Sequence, residues 1–233
     1  MTSALRQLAV VVPARNEERL LPRCLDALDE AHRVLRRTRP GLEVSVTVVL
    51  DRTNDASAAI VERNTLATAL SYGAGNVGRA RNFGIRSALR ACGLLPAAVW
   101  IANTDADSFV PGNWLLAQAE AAEEGWDVMV GTVEPETSDL TEAQLDRWFA
   151  AHSLRDGHNH IHGANLGFRA DAYERLGGFQ GLALHEDRGF VLAAAAAGLR
   201  MRATDACRVQ TSGRTTSFVQ GGFADYLASE IKV

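Results

Sequence analysis

The segment LAVVVPARNEE, residues 8–18, decides the class of fold. Its first five residues form an unbroken apolar run rich in valine, and Pro13 ends that run. Such a run is typical of a central strand in a parallel sheet, because helices cover both faces of the strand. Apolar residues then recur at helical spacing between Glu17 and Arg37, which predicts a helix directly after the strand. A strand followed at once by a helix is the repeating unit of α/β proteins.

The same alternation continues through the first half of the chain. We predict strands over 44–50, 66–70, 97–102 and 127–133, with helices over 76–92 and 111–124. Beyond Val133 the pattern is less regular, and helices are predicted over 141–154, 171–176 and 186–197. We therefore expect one α/β domain over residues 1–233, with a mostly parallel, Rossmann-like central sheet flanked by helices.

Composition excludes several classes of protein. Of the 233 residues 22% are charged and 47% hydrophobic, which is typical of a globular chain, and the net charge of −4 gives no argument for a nucleic-acid partner. The three cysteines are far apart and form no C-x-x-C, so neither a zinc knuckle nor a disulfide framework is predicted. No segment reaches the roughly 20 apolar residues of a membrane span. We expect a cytoplasmic protein that can still contact a membrane surface peripherally.

Acidic side chains follow the predicted strands, at the points where the strands end. Asp51 follows the second strand, and Asp105 and Asp107 follow the fourth. In open α/β sheets ligands bind beyond the carboxyl ends of the strands. Two carboxylates at i and i+2 can hold Mg²⁺ or Mn²⁺ together with substrate phosphates, although the same pair can also accept local backbone hydrogen bonds in a turn.

A second motif, GAGNVG, contains the spacing G-x-G-x-x-G at Gly73, Gly75 and Gly78. In dinucleotide-binding proteins this spacing stands in the first strand-to-helix turn, with one acid about 20 residues further on. Here the first turn is PARNEE, which has no glycine. We therefore interpret the match as fortuitous and keep an NAD-dependent oxidoreductase only as a minor alternative.

Six segments in a fixed order resemble the family 2 glycosyltransferases of the GT-A fold. The resemblance extends from Leu8 to about Gly198. It depends on VVVPARNEERLLPRCLDAL, Asp51, NVGRARNFGI, NTDADS, GANLGFRADAYERLGGF and HED. The chain departs from the family after the second strand, where it has Asp51-Arg-Thr-Asn-Asp55 and many members have Asp-Asp-Gly-Ser.

The resemblance implies a role for each matched residue. The donor nucleotide would be bound by Pro13, Ala14, Arg15, Glu17, Asp51, Arg81 and Asp105, with Asn82 orienting Arg81 or the base. The metal would be held by Asp107 and Asp105, with His185 as a further ligand. Gly163, Ala164 and Asn165 would face the sugar or the acceptor, and Asp187 would be the general base, with Glu186 beside it. Residues 1–133 would then be the nucleotide-binding half, and 134–233 the acceptor and catalytic half with a C-terminal tail.

Simpler interpretations of the same residues stay open. Glu186 and Asp187 also suit the N-terminus of a helix, and Asn165 also suits a turn. His158, His160 and His162 would share one face of a strand and could bind a transition metal, but exposed or loop histidines are the simpler interpretation, because no cysteine or second cluster accompanies them. Arg214 would supply positive charge to a lid over the donor phosphates, whereas a C-terminal helix over 223–231 is the simpler interpretation of the tail.

Three alternatives accompany the predicted function. The prediction is a glycosyltransferase that depends on Mn²⁺ or Mg²⁺, inverts the anomeric centre and transfers a sugar from a UDP- or GDP-linked donor to an acceptor hydroxyl. A nucleotidyltransferase would need a glycine-rich loop with Arg and Lys after the first strand, and that loop is missing here. A non-catalytic nucleotide-sugar binding protein would not need Asp187. The oxidoreductase would bind NAD⁺ instead.

Overall fold

The computed structural model describes residues 4–179 and 185–214. Within them eight strands form one sheet, with helices on both of its faces. The strands are β1 Gln7–Ala14, β2 Glu43–Asp51, β3 Ala67–Tyr72, β4 Val99–Asn103, β5 Ser108–Phe109, β6 Val128–Pro135, β7 Leu166–Arg169 and β8 Met201–Thr211. The helices are α1 Leu21–Thr38, α2 Ser57–Glu62, α3 Val77–Cys92, α4 Trp114–Glu123, α5 Glu142–Ala151, α6 Ala170–Arg175 and α7 Glu186–Ala196.

The strands lie in the order β3-β2-β1-β4-β7-β6-β8-β5. The first four in that order are mutually parallel, as predicted for the first half of the chain. β7 is antiparallel to both of its neighbours, β4 and β6, while β6 and β8 are parallel and β5 is antiparallel to β8. The α/β class and the flanking helices are confirmed, and the sheet is mixed in its second half.

The first strand is central because both of its faces are apolar. Leu8, Val10 and Val12 belong to a core that also contains buried residues of α1 and α4. The alternate residues Ala9 and Val11 belong to a second core, on the opposite face, with buried residues of α3, α6 and α7. All five side chains are at most 1% exposed. This continuous run of small and β-branched residues therefore stabilises two helical layers at once.

Local sequence explains where the helices begin and end. The side chain of Asn76 accepts a hydrogen bond from the N–H of Arg79 at 2.8 Å, which caps α3 at its N-terminus. Gly93 ends the same helix in the left-handed region, at φ 62°. A capping box starts α5, where the Thr141 N–H donates to Gln144 Oε1 at 2.8 Å.

The strands β5, β7 and β8 and the C-terminal tail differ from the prediction or lie beyond it. β8, Met201–Thr211, was not predicted, although every second residue from Cys207 to Thr211 is buried. The two-residue strand β5 was not predicted either. The proposed helix over 223–231 lies outside the described residues. Among the helices described, none combines the length and apolar character that a membrane crossing requires.

Candidate active site

The carboxyl ends of three neighbouring strands bring the predicted acids to one edge of the sheet. β1 pairs with β2 on one side, where Ala14 lies opposite Leu50, and with β4 on the other, where Val11 lies opposite Asn103. Glu17 follows β1, Asp51 is the last residue of β2, and Asp105 and Asp107 follow β4. The loops that carry these side chains therefore meet, as the topology of an α/β sheet requires.

The end of β8 places Arg214 at the same edge. Asp107 accepts the Ser212 N–H at its backbone carbonyl (3.0 Å), and Asp139 accepts the Gly213 N–H at Oδ2 (2.8 Å). With its backbone held in this way, Arg214 contacts two carboxylates. Its Nη1 lies 3.0 Å from Glu17 Oε2, and its Nη2 lies 2.9 Å from Asp107 Oδ2. Arg214 thus joins the loop after β1 to the loop after β4.

A second arginine joins the loop after β4 to α7. Arg81, on α3, is only 4% exposed and lies between Asp105 and Glu186. Its Nη2 is 2.5 Å from Asp105 Oδ1, and its Nη1 forms an ion pair with the equally buried Glu186. Planar guanidinium groups suit such double contacts with carboxylates. The helix that begins with Glu186 is therefore tied to the loop that contains Asp105.

Two glycines make room for this buried ion pair. A Cβ atom on Gly163 would lie 2.6 Å from the terminal nitrogens of Arg81. A Cβ atom on Gly78 would lie 2.9 Å from Cγ of Glu186. Gly78 was singled out by its place in GAGNVG and Gly163 by the resemblance. The close approach of Arg81 to Gly163 and of Glu186 to Gly78 explains why neither position has a side chain.

The two ion-pair groups carry a net negative charge. When ionised, the four carboxylates of Glu17, Asp105, Asp107 and Glu186 exceed the two guanidinium groups by two charges. A divalent cation with a preference for oxygen ligands would balance that excess, so the donor set suits Mg²⁺ or Mn²⁺. Among the residues that the structure describes, however, no three His, Cys, Asp or Glu side chains are arranged as a metal site.

Burial changes the proton affinity of the charged groups. It raises the pKa of Asp107 to about 7, an effect that Asp105 and Glu17 reinforce and that Arg214 opposes. Burial also raises the pKa of Glu186, which Arg81 opposes. For Arg81 burial alone would lower the pKa, but the carboxylates of Asp105 and Glu186 reverse that effect and raise it. Arg81 therefore stays a cation in its buried position.

The two adjacent acids of HED lie in different surroundings. Glu186 is buried against Arg81, whereas Asp187 is only half-buried and accepts the N–H of Arg188 at Oδ1 (2.7 Å). His185 precedes them as the N-cap residue of α7, is exposed and has φ 61°. Of the two carboxylates, Asp187 is the one that a molecule from solvent can reach.

Asp51 holds the GAGNVG loop. Its two carboxylate oxygens accept the N–H groups of Gly75 and Asn76, each at 2.8 Å. Arg52 lies across the same loop, because its Nε donates to the Gly73 carbonyl at 3.1 Å and a Cβ on Gly75 would lie 2.7 Å from its guanidinium. The contact with Arg52 therefore explains why residue 75 is a glycine, and no bound dinucleotide is needed to explain it.

The remaining donor residues lie at the end of β1. Pro13 and Ala14 are its last two residues, and Arg15 beside them is half-buried. The next residue, Asn16, has φ 55°, and its Oδ1 accepts the Asn54 N–H at 2.9 Å. Within the described ranges the non-glycine residues with positive φ are Asn16, Arg52 and His185, one in each of three loops at this edge. Unusual backbone conformations of this kind occur often at functional sites.

Asn165 lies in the interior. It is fully buried in the turn 163–165, where Gly163 and Ala164 precede it and are also buried. Its Nδ2 donates to the Thr132 and Cys207 carbonyls, both at 2.9 Å, and its Oδ1 accepts from Trp114 Nε1 at 2.9 Å. The side chain therefore joins β6, β8 and α4. The side chain of Asn82, which was predicted to orient Arg81 or the base, accepts from the Tyr173 hydroxyl at 3.2 Å.

The histidines form a stack of rings. His152 stacks on Trp148 with centroids 3.4 Å apart, and His160 follows at 4.9 Å from His152. His158 and His162 lie 5.9 and 6.4 Å from His160. Burial, reinforced by the neighbouring histidines, lowers the pKa of His162 to about 3. His160 Nε2 accepts the Ser153 N–H at 3.1 Å, so the His160 ring is neutral in this arrangement.

Sequence alone did not reveal the pairing of Arg214 with Glu17, because 197 residues separate them. It also did not reveal that Asp139 holds the backbone before Arg214. Neither contact is accompanied by a recognisable pattern in the local sequence. The unpredicted strand β8 would have been the signal, because it leads the chain back to Asp107.

Comparison with solved structures supports the fold. The chain is similar to S. aureus TarS, with a TM-score of 0.65 and 19% identity over 88% of this chain and 36% of that one. It is similar to GalNAc-T7 with UDP, GalNAc and Mn²⁺, with a TM-score of 0.65 and 13% identity over 92% and 46%. It is also similar to the mannosyltransferase PcManGT from Pyrobaculum calidifontis, in complex with GDP-Man and Mn²⁺. Here the TM-score is 0.64 and the identity 19%, over 93% of this chain and 59% of that one. The chain thus spans less than two thirds of each of these proteins.

Comparison of the sequence gives the family. No curated protein sequence matches the chain significantly. The family model described as glycosyl transferase family 2 matches residues 9–184, which is most of the chain and includes most of β1, the loop after β4 and the turn at Gly163. This match shows that the chain belongs to glycosyl transferase family 2.

Proposed function

We propose that the protein transfers a sugar from a UDP- or GDP-linked donor to an acceptor hydroxyl, with inversion and with Mn²⁺ or Mg²⁺ as its cofactor. One observation carries the proposal. The buried guanidinium of Arg81 joins Asp105 after β4 to Glu186 at the start of α7. The guanidinium of Arg81 thereby holds a loop suited to a diphosphate next to a helix suited to an acceptor.

The donor occupies the edge formed by β1, β2 and β4. Pro13, Ala14 and Arg15 line the base and ribose pocket together with Glu17, and Asp51 holds the loop beside the nucleoside. Two of the similar structures contain UDP or GDP-Man, which is the basis for proposing these two donors. Residues 1–133 thus bind the donor, and residues 134–233 bind the acceptor.

Asp107 and Asp105 hold the divalent cation, with His185 as a candidate further ligand. The excess of two negative charges that Glu17, Asp105, Asp107 and Glu186 carry over Arg81 and Arg214 when ionised supports this assignment. When bound, the cation supplies positive charge to the departing diphosphate. Arg81 supplies a second positive charge from the protein side, because its pKa is raised and it stays ionised.

Asp187 acts as the general base, since it is the accessible member of the HED pair. The acceptor oxygen forms a bond to the anomeric carbon while the bond from that carbon to the diphosphate oxygen breaks. The hydroxyl proton passes to the Asp187 carboxylate. Gly163 and Ala164 face the sugar or the acceptor, and Asn165 contributes by holding their turn.

Thermal unfolding with a panel of nucleotides tests donor binding. The panel contains UDP, GDP, dTDP, CDP and NAD⁺, each with and without Mn²⁺. A ligand at about 100 times its Kd adds roughly 2.7 kcal/mol to the free energy of unfolding, which raises the Tm by about 5–10 °C for a chain of this size. We expect a shift with UDP or GDP that requires Mn²⁺. A shift with NAD⁺ alone, independent of Mn²⁺, would contradict the proposal.

The Asp187→Asn variant tests the general base. We expect its kcat to fall by about 10²–10⁴-fold, because the proton acceptor is lost, while its Kd for the nucleotide stays unchanged. Asp26→Asn is the control, since Asp26 is an exposed acid on α1. Full activity in Asp187→Asn would rule out this residue as the base.

A further inference from the structure

The side chain of Arg214 occupies the carboxylates that the donor and its cation are proposed to use. It contacts Asp107, the proposed metal ligand, at 2.9 Å and Glu17, in the proposed donor pocket, at 3.0 Å. Its own side chain is 33% exposed, whereas that of Glu17 is 10% exposed. The positive group thus covers the acids from the solvent side.

The backbone around Arg214 directs the guanidinium to this position. Both Ser212 and Gly213 are held by hydrogen bonds, and a Cβ on Gly213 would lie 2.8 Å from Cβ of Asp139 and 3.0 Å from the Glu136 carbonyl. The residue before Arg214 therefore has to be glycine for the chain to pass so close to Glu136 and Asp139. An arginine on a free segment would not need such a fit.

We infer that Arg214 acts as an internal counter-cation, which competes with the divalent cation for Asp107 in the donor-free protein and transfers its contacts to the diphosphate of the bound donor. This inference rests on the proposed function. A guanidinium and a divalent cation at the same carboxylate repel each other, so each weakens the binding of the other. Once released from Asp107, the guanidinium can form paired hydrogen bonds with phosphate oxygens.

The consequence is that the affinity of the site for the divalent cation depends on whether the nucleotide is bound. Without a diphosphate, Arg214 keeps the affinity for the cation low, because the acids already have a counter-charge. A diphosphate offers the guanidinium a different anion, so cation and nucleotide each increase the affinity for the other. Arg214 thereby determines how strongly cation binding depends on the nucleotide.

The experiment measures Mn²⁺ affinity without nucleotide, from the electron paramagnetic resonance signal of the free ion. The variants are Arg214→Gln and, as a matched control, Arg202→Gln. Arg202 is on β8, the strand that precedes Arg214, its side chain is also 33% exposed, and its partner, Glu124, is outside the site. We expect Arg214→Gln to bind Mn²⁺ about tenfold more tightly than the natural protein, and Arg202→Gln to bind it equally well. An unchanged or weaker Mn²⁺ affinity in Arg214→Gln would overturn the inference.

Titration with UDP and GDP separates this inference from the proposed function. In the natural protein we expect Mn²⁺ to strengthen binding of one of them, and in Arg214→Gln we expect that gain to shrink by about tenfold. If the natural protein binds neither nucleotide, the proposed donor is wrong, while tighter Mn²⁺ binding in Arg214→Gln still supports the competition at Asp107. If the natural protein shows the gain and Arg214→Gln keeps all of it, only the inference about Arg214 fails.

Discussion

At the scale of single residues, the three glycines that match the fingerprint in GAGNVG have different structural surroundings. Gly73 has open space around its Cα, Gly75 lies under Arg52, and Gly78 lies against Glu186. The spacing matches a dinucleotide fingerprint, but each contact serves the acidic edge of this sheet. Pattern alone predicted that the fingerprint was fortuitous, and it could not predict which side chains the glycines touch.

Gly78→Ala should destabilise the protein although the residue is helical. Replacing a helical glycine by alanine ordinarily stabilises by up to about 1 kcal/mol. Here the new methyl group would meet Glu186 at 2.9 Å, so we expect a loss of about 1–3 kcal/mol in the free energy of unfolding. Urea denaturation measures it, with Gly73→Ala as the control within the same motif. Equal or greater stability in Gly78→Ala would show that the Glu186 side chain can move aside freely.

Glu186→Gln should affect stability more than Asp187→Asn does. The change keeps the shape of the side chain but removes one of two negative partners from the buried Arg81. We expect a loss of about 3 kcal/mol, because a buried cation is left with incomplete compensation. Asp187→Asn, at the half-buried neighbour, should stay within about 0.5 kcal/mol of the natural protein. Denaturant unfolding compares the two, and equal losses would argue against separate roles for the two acids.

At the scale of elements, the second half of the sheet is joined by a side chain as well as by strand pairing. Asn165 uses both of its donors and its acceptor to connect β6, β8 and α4. Gly131 opposite it has no side chain, and a Cβ there would lie 2.1 Å from Asn165 Nδ2. The amide therefore fixes the direction in which the turn at Gly163 leaves the core.

Asn165→Asp tests this connection with almost no change of shape. The substitution replaces the NH₂ donor by an oxygen that faces the carbonyls of Thr132 and Cys207. We expect a loss of about 3 kcal/mol or more in the free energy of unfolding, since two buried acceptors lose their donor and a charge is buried. Thermal unfolding at neutral pH measures it. If Asn165→Asp unfolds like the natural protein but binds the acceptor less well, Asn165 acts on the ligand directly and not through the turn.

At the scale of the whole molecule, the sequence predicted the first half of the sheet better than the second. The run at Leu8–Val12 and the strand-to-helix alternation have local patterns, and they gave the parallel strands β1 to β4 closely. The short strand β7 and the strand β8 depend on pairings between distant segments, so their direction leaves no local signal. The same limit applies to the site. Positions after strands were predictable, whereas the ion pairs that join them were not.

The stack of histidines should make the stability of the whole molecule fall in mild acid. Burial lowers the pKa of His152, His160 and His162, and that of His162 falls to about 3. Between about pH 6.5 and that value, the unfolded chain binds a proton at His162 that the folded chain does not bind. The free energy of unfolding therefore decreases as the pH falls through this interval, by up to about 1.4 kcal/mol per pH unit for one such residue.

Comparing His162→Gln with the natural protein isolates this effect from the acids of the site. Burial raises the pKa of Asp107 and Glu186, and both acids contribute equally in the two proteins. We expect the difference between the two free energies of unfolding, measured by urea denaturation from pH 7.5 to 4.5, to be flat above about pH 6.5. Below that pH the natural protein should lose stability faster, because only its unfolded state gains the proton at residue 162. A constant difference across the whole range would mean that His162 is as accessible to protons in the folded protein as in the unfolded chain.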